Sequence, residues 1–127
     1  MSSEVILDSS ALLALIYQEP GADIVAKEKS VAISTVNLTE VVTKLIENGL
    51  LETDIQDTLA TLNLTIVPYD EEIAYEAGRL RTLTRKQGLS LGDRACLATA
   101  LIRGVPVLTA DRIWLQANVE VEIKCIR

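Results

Sequence analysis

Val5-Ile-Leu-Asp8-Ser-Ser-Ala-Leu12 is the stretch that decides the fold, because a short apolar run leads directly into an acid and a helix-forming segment. Glu4–Leu7 predicts a strand, and Asp8 with the two serines after it is typical of a helix N-terminus. A strand followed at once by a helix is the first half of a parallel β-α-β unit. Asp8 would then lie at the carboxyl end of its strand, where layered α/β proteins bind their ligands.

The same alternation of strand and helix continues along the chain. Further strands are predicted at residues 31–34, 64–68, 105–108 and 119–126, and helices at residues 20–30, 37–47, 52–62, 70–87 and 90–103. This alternation indicates an α/β fold, here a three-layer parallel sheet of about five strands flanked by helices. The length of 127 residues predicts a single domain over residues 1–127, since domains usually contain roughly 100–200 residues.

The composition excludes several classes of site. Hydrophobic residues make up 49% of the chain and charged residues 24%, which is typical of a globular protein. The chain has no histidine, so Ser-His-Asp triads, HExxH zinc sites and histidine general bases are excluded. Its two cysteines, Cys96 and Cys125, are too few for a disulfide scaffold or a four-cysteine zinc site. Any chemistry must therefore depend on carboxylates, hydroxyls, Lys, Arg or a bound metal.

Charge is distributed unevenly along the chain. The formal net charge of −6 argues against nonspecific binding to a nucleic-acid duplex, which depends on many phosphate contacts. Residues 79–112, however, hold seven basic and two acidic residues, so this segment carries a charge of +5. Arg85 and Lys86 in this segment could bind a short polyanion such as RNA, or could lie on a solvated helix face.

Neither a membrane segment nor an export signal is predicted. The longest apolar run is Ala11–Tyr17, seven residues, whereas a membrane-spanning helix needs about 20. The N-terminus carries Glu4 and Asp8 and lacks the basic start of a signal peptide. We therefore expect a cytoplasmic protein without membrane association and with reduced thiols.

Four acidic residues recur at equivalent places in the predicted β-α units. Asp8 follows the first strand and Asp111 follows the fourth, so both should lie at the carboxyl edge of the sheet. Glu40 and Asp93 lie in the first turns of predicted helices, where the preceding loops usually face that same edge. The sequence therefore predicts a group of acids at one edge.

Each of these acids also has a purely structural interpretation. Asp is a good N-cap, and Asn37-x-x-Glu40 and Ser90-x-x-Asp93 both resemble a capping box. Together, however, four carboxylates at one edge would repel one another, and their pKa values would rise unless a cation balanced them. Mg²⁺ or Mn²⁺ is the natural cation, because it prefers hard oxygen ligands.

Hydroxyl and basic residues lie beside the acids in the sequence. Ser10 and Thr109 could hydrogen-bond a metal-ligating carboxylate as second-shell residues, or could only cap the next helix. Arg94 and Arg112 each directly follow one of the acids. They could bind an RNA phosphate, or could be surface residues that balance the acidic charge.

Four segments together resemble the PIN-domain family, and its VapC toxin branch in particular. They are Val5-Ile-Leu-Asp8-Ser-Ser-Ala-Leu, Ser34-Thr-Val-Asn-Leu-Thr-Glu40-Val, Leu89-Ser-Leu-Gly-Asp93-Arg-Ala-Cys-Leu-Ala-Thr-Ala and Val107-Leu-Thr-Ala-Asp111. Each segment alone has little specificity, because an Asp after a strand is common. Four segments in this order and at this spacing are fairly specific, and the resemblance covers nearly the whole chain.

The resemblance implies an Mg²⁺- or Mn²⁺-dependent ribonuclease with a parallel sheet flanked by helices. The conserved acids of the family, which are its catalytic and metal-binding residues, correspond here to Asp8, Glu40, Asp93 and Asp111. The resemblance further implies a homodimer and a cognate VapB-like antitoxin. Some relatives carry a further acid just after the last of these residues, where this chain has Arg112, so the number of metal ions stays open.

The leading hypothesis is a toxin that hydrolyses RNA phosphodiesters with metal-activated water, because no histidine is available as a general base. The main alternative is a catalytically inactive PIN-like module that binds RNA or protein. A haloacid-dehalogenase-type phosphatase would need an Asp where this chain has Ser10. A phospho-receiver module would need a pair of acids and a Lys at the end of the last strand, but Lys124 lies within the last predicted strand.

Overall fold

The computed structural model describes residues 3–127, which form an α/β fold around a parallel sheet. The five strands of the sheet are β1 (Glu4–Leu7), β2 (Ser30–Ser34), β3 (Thr65–Val67), β4 (Val107–Thr109) and β5 (Ile123–Cys125). Their order is β3-β2-β1-β4-β5, and every neighbouring pair is parallel. The predicted fold class is confirmed.

Helices flank this sheet along the described part of the chain. They are α1 (Ser9–Tyr17), α2 (Ala22–Ala26), α3 (Thr35–Glu47), α4 (Glu52–Thr61), α5 (Glu71–Arg79), α6 (Arg81–Thr84) and α7 (Leu91–Arg103), with a 3₁₀-helix at Arg112–Gln116. None of the helices within residues 3–127 combines the length and the apolar character that crossing a bilayer requires.

Two hydrophobic clusters lie on opposite faces of the sheet and give the fold its layers. Ile6 packs in one cluster with residues of α5 and α7. Val5 and Leu7 pack in the other cluster with residues of α1, α3 and α4. Because successive side chains of a strand point to opposite faces, β1 contributes to both clusters and lies in the centre of the sheet.

The predicted helix at residues 70–87 is two shorter helices in the structure, since α5 ends at Arg79 and α6 ends at Thr84. Thr84 Oγ1 donates to the Leu80 carbonyl (2.8 Å), and Thr82 Oγ1 donates to the Arg79 carbonyl (3.3 Å). Threonine hydroxyls that bond backbone carbonyls compete with the helical hydrogen bonds, so these threonines favour an interruption.

Two strands also differ from the prediction. β4 begins at Val107 rather than at residue 105, because Pro106 has no amide hydrogen to donate to a neighbouring strand. β5 covers three residues rather than residues 119–126. Within residues 3–127 it is an edge strand with β4 as its one neighbour, so the three residues of β4 limit its length.

Two helix boundaries differ for local reasons. α2 ends at Ala26 rather than near residue 30, and Ser30 instead begins β2 and pairs with β1. α3 begins at Thr35 rather than at residue 37, because Ser34 Oγ accepts a hydrogen bond from the Val36 amide (3.2 Å) and caps the helix. Asn37 therefore lies inside α3, and the interpretation of Asn37-x-x-Glu40 as a capping box is wrong.

Candidate active site

Two acids follow neighbouring strands at the carboxyl edge of the sheet. β1 and β4 are adjacent and parallel, with Leu7 opposite Leu108. Asp8 comes directly after β1, and Asp111 lies two residues after β4. The Asp8 amide donates to the Leu108 carbonyl (3.2 Å), so the pairing of the two strands fixes the backbone of Asp8.

The Asp8 carboxylate is buried, with 4% of the residue exposed, and accepts hydrogen bonds from three residues. Ser10 Oγ donates to Oδ1 (2.7 Å), Thr109 Oγ1 donates to Oδ2 (2.5 Å), and the Ala11 amide donates to Oδ1 (2.8 Å). Asp8 therefore caps α1 as well. The structure brings Ser10 and Thr109 to this carboxylate, while their part in metal binding stays a prediction.

Burial raises the pKa of Asp8 to about 6, from 3.8 for an ordinary aspartate. The hydrogen bonds from Thr109, Ser10 and Ala11 act in the opposite direction, and the negative charge of Asp93 raises the pKa further. At neutral pH this carboxylate is charged in surroundings that disfavour charge, so a nearby cation would stabilise it.

Asp93, in the first turn of α7, couples the four acids electrostatically. The Ser90 amide donates to Asp93 Oδ2 (2.9 Å) and the Asp93 amide donates to Ser90 Oγ (3.2 Å), which confirms the predicted capping box. Burial raises the pKa of Asp93, the bonds with Ser90 lower it, and the charges of Glu40 and Asp111 raise it. Since Asp93 also raises the pKa of Asp8, each of the other acids interacts with Asp93.

Glu40 is an exposed residue of α3 that is held against α7. Asn37 Nδ2 donates to Glu40 Oε1 (3.0 Å) and to the carbonyl of Gly92 (3.0 Å), the residue before Asp93. A Cβ on Gly92 would lie 2.8 Å from Glu40 Cδ, so the carboxylate occupies the space that a side chain there would fill. Sequence reasoning missed both Asn37 and Gly92 as site residues. The sequence did contain one signal for this contact. Gly92 lies in the first turn of a helix, where glycine is unfavourable and can mark the close approach of another group.

Asp111 is exposed and is linked to Asp8 through Thr109. Its Oδ1 accepts a hydrogen bond from the Ile113 amide (3.1 Å), so Asp111 caps the 3₁₀-helix as predicted. The Asp111 amide donates to Thr109 Oγ1 (3.0 Å), and that hydroxyl donates to Asp8. One buried threonine therefore contacts both acids that follow strands.

The basic residues predicted to bind RNA lie in different environments. Arg94 is half-buried, and its Nη1 donates to the Ala77 carbonyl of α5 (3.0 Å). Arg112 is exposed and donates to the backbone carbonyl of the last residue (3.2 Å). Arg85 and Lys86 are exposed after the end of α6. Arg94 would have to leave Ala77 to reach a phosphate, whereas the other three are accessible.

The chemistry of the four acids fits a hard divalent cation, because they supply only oxygen ligands. No ion pair joins any of them to a basic side chain of residues 3–127, so their charges are not compensated there. In the same part of the chain, no three acidic or cysteine side chains converge closely enough to hold a metal ion. The donor set therefore fits Mg²⁺ or Mn²⁺, which keep several water molecules among their ligands and need only one or two carboxylates in direct contact.

Comparisons with known proteins identify the family of the fold. The family model of the PIN domain matches residues 5–120, which confirms the resemblance inferred from the sequence and leaves the phosphatase and receiver alternatives without support. No curated protein matches the chain.

Several solved toxin–antitoxin structures are similar to this chain. A toxin–antitoxin complex from Klebsiella pneumoniae is 20% identical, with a TM-score of 0.75 over 97% of this chain and 98% of that chain. DNA-bound VapBC from Salmonella typhimurium is 17% identical, with a TM-score of 0.76 over 98% of each chain. VapBC-5 from Mycobacterium tuberculosis is 26% identical, with a TM-score of 0.65 over 99% of each chain.

Proposed function

This chain belongs to the PIN-domain family, and we propose that it is a metal-dependent endoribonuclease, the toxin of a VapBC-type toxin–antitoxin pair. One observation carries the proposal: the Thr109 hydroxyl joins Asp8 to the backbone of Asp111 at the carboxyl edge of the sheet, and Asn37 holds Glu40 beside Gly92, the residue before Asp93. The toxin–antitoxin complexes that share the fold support the biological role. We take residues 1–127 to be one domain.

The proposed catalytic and metal-binding residues are the four acids Asp8, Glu40, Asp93 and Asp111. A bound Mg²⁺ or Mn²⁺ would supply an acidified water and would offset negative charge on the phosphodiester. Asp8 would be the most rigid ligand, since strand pairing fixes its backbone and hydroxyl groups fix its carboxylate. Ser10 and Thr109 would orient Asp8, as residues around a metal site commonly do for its ligands.

Basic residues outside the acidic edge would bind the RNA backbone. Arg85, Lys86 and Arg112 are exposed, and such residues position a nucleic acid through its phosphates without reading its sequence. Arg94 would join them only by giving up its bond to Ala77. The overall charge of −6 favours contact with a short segment of RNA over a long duplex.

A VapB-like antitoxin is the proposed protein partner, because the similar structures are complexes from toxin–antitoxin systems. The VapC resemblance implies that the antitoxin places a basic side chain in the acidic site. Four acids that form no ion pair within residues 3–127 would favour such a contact, since complementary charges steer association. Following the VapC resemblance, we also propose a homodimer that acts in the cytoplasm, away from membranes.

Cleavage of a panel of fluorescent RNAs by the purified protein tests the proposed activity. We expect cleavage with Mg²⁺ or Mn²⁺, none in EDTA, and none by Asp93→Asn. Asp70→Asn is the matched control, because Asp70 is also a helix-capping aspartate, on α5, and accepts from the Ile73 amide (2.9 Å). Cleavage that persists in EDTA, or in Asp93→Asn as in Asp70→Asn, would contradict the proposal.

A PIN-like module that binds RNA or protein without cleaving is the second candidate function. It is favoured by the side-chain positions, in which no three acids of residues 3–127 converge on a metal-binding geometry. RNA binding without cleavage at any Mg²⁺ or Mn²⁺ concentration, by folded protein free of any partner, would replace the nuclease with this module.

A further inference from the structure

Asn37 is a buried polar residue of α3 whose side chain connects two helices. It is 1% exposed, and its Nδ2 donates to Glu40 Oε1 and to the Gly92 carbonyl, each at 3.0 Å. Both partners are acceptors only, so the side-chain nitrogen, and not the oxygen, must face them. The two hydrogens of this amide therefore join α3 to the residue that precedes Asp93 in α7.

Gly92 also lies against the carboxylate of Glu40. A Cβ at this position would lie 2.8 Å from Glu40 Cδ and 2.9 Å from Glu40 Oε1. Gly92 directly precedes Asp93 in α7, so the Glu40 carboxylate lies against the residue next to Asp93. A glutamate on an exposed helix surface has enough rotamer freedom to turn away from that position. The contacts with Asn37 and Gly92 oppose that rotation.

The environment of the Asn37 side-chain oxygen argues against a purely structural role for this residue. Asn37 Oδ1 is buried and has no hydrogen-bond partner among residues 3–127. Burying an acceptor without a partner costs stability, so an asparagine is a poor choice if packing between α3 and α7 is the only requirement. Local choices that cost stability are expected where a residue serves a function.

Given the metal-dependent function proposed above, we propose that Asn37 is a positioning residue of the active site. Its amide holds the Glu40 carboxylate against Gly92 and thereby keeps Glu40 beside Asp93, where both acids can bind one divalent cation. Asn37 itself touches neither the metal nor the RNA.

Mn²⁺ binding by Asn37→Ala and Gly92→Ala, measured by isothermal titration calorimetry, tests this role. We expect the Kd for Mn²⁺ to rise about 10–100-fold in each variant, as for other residues that orient metal ligands. RNA cleavage should fall at low Mn²⁺ and recover at saturating Mn²⁺, because all four acids remain. Alanine is more favourable than glycine in a helix, so Gly92→Ala should keep or raise the melting temperature while it weakens Mn²⁺ binding.

Asn48→Ala is the matched control, since Asn48 caps the C-terminus of the same helix and donates to the Tyr17 hydroxyl (2.8 Å). It should bind Mn²⁺ like the wild type. Wild-type Kd values in both test variants would overturn the role of Asn37, and Gly92→Ala alone decides if Asn37→Ala does not fold. Wild-type protein that binds no Mn²⁺ would instead overturn the proposed metal-dependent function, so the two failures are distinguishable.

Discussion

The acidic edge consists of two halves that are held in different ways. We define the strand half as Asp8, Ser10 and Thr109, and the helix half as Asn37, Glu40, Gly92 and Asp93. In the strand half, the pairing of β1 with β4 fixes the backbone, and two hydroxyls and one amide fix the buried carboxylate. In the helix half, an exposed carboxylate depends on one amide group and on the space beside one glycine.

This difference indicates which part of the site is already rigid before a ligand binds. The strand half is ordered by strand pairing and carries the electrostatic cost of burial, which raises the pKa of Asp8 to about 6. In the helix half Glu40 is exposed and Asp93 is half-buried, and the two acids need Asn37 to stay together. A cation shared by the two halves would relieve the repulsion between Asp8 and Asp93.

Removing an acid from each half should have unequal effects on cleavage, and this is the largest effect we expect. Asp8→Asn should lower kcat/KM for RNA by about 10³-fold or more, because the most rigid of the proposed metal ligands is lost. Glu40→Gln should lower it by about 10–100-fold, since an exposed side chain is more easily replaced by water. Steady-state cleavage with Mn²⁺ measures both, and a larger loss in Glu40→Gln would reverse the comparison.

The buried charge of the strand half should make the metal-free protein less stable as pH rises. Asp8 ionises near pH 3.8 in the unfolded chain but near pH 6 in the folded protein, so the folded state holds more protons between these values. The free energy of unfolding therefore falls through this range, by about 3 kcal/mol at most, and levels off above it.

Urea unfolding in EDTA at several pH values between 4 and 7 measures this effect. The difference between wild type and Asp8→Asn isolates the contribution of Asp8 from those of the other carboxylates. A wild type that gains stability relative to Asp8→Asn as pH rises would show that burial does not dominate at Asp8.

The two hydroxyls of the strand half should differ in what they contribute to stability. Thr109→Val removes a buried donor to Asp8 and a buried acceptor for the Asp111 amide, which should cost about 1–3 kcal/mol. Ser10→Ala should cost about 1 kcal/mol or less, because Ser10 is only half-buried and water can replace part of its bonding. Thermal unfolding compares the two, and an equal or larger cost for Ser10→Ala would contradict this order.

We expect the smallest effect from a substitution at the opposite edge of the sheet, where the strands begin. Arg103 Nε lies 2.7 Å from Glu4 Oε1 there, in an ion pair whose arginine side chain is 35% exposed. Arg103→Gln should cost about 0.2–1 kcal/mol, as for other surface ion pairs, and should leave RNA cleavage unchanged. If Arg103→Gln lost as much cleavage activity as Glu40→Gln, residues far from the acidic edge would also control cleavage. That result would contradict the comparison.

The fold and the strand half were predictable because they depend on short segments of sequence. An apolar run before Asp8 indicates a strand end, so this acid could be placed from neighbouring residues alone. One acid of the helix half was equally local, because Ser90 with Asp93 indicates a capped helix start. The parallel order of the strands then brings such ends to one edge of the sheet.

The helix half was predicted only in part, because its geometry depends on contacts between distant segments. Asn37 and Gly92 are 55 positions apart, and only the packing of α3 on α7 brings them together. Arg94 similarly turns toward Ala77 of α5, which the sequence beside Asp93 does not indicate. The length of β5 depends on its partner β4 rather than on its own apolar residues.

The position of a bound Mn²⁺ tests most directly whether the two halves share a cation. Crystals of the protein soaked in Mn²⁺ would locate the ion by its anomalous scattering. We predict a peak within about 2.0–2.6 Å of carboxylate oxygens of both Asp8 and Asp93, with Glu40 still bonded to Asn37, and no peak in Asp93→Asn. The absence of a peak at saturating Mn²⁺, or a peak only away from these acids, would contradict a shared metal site.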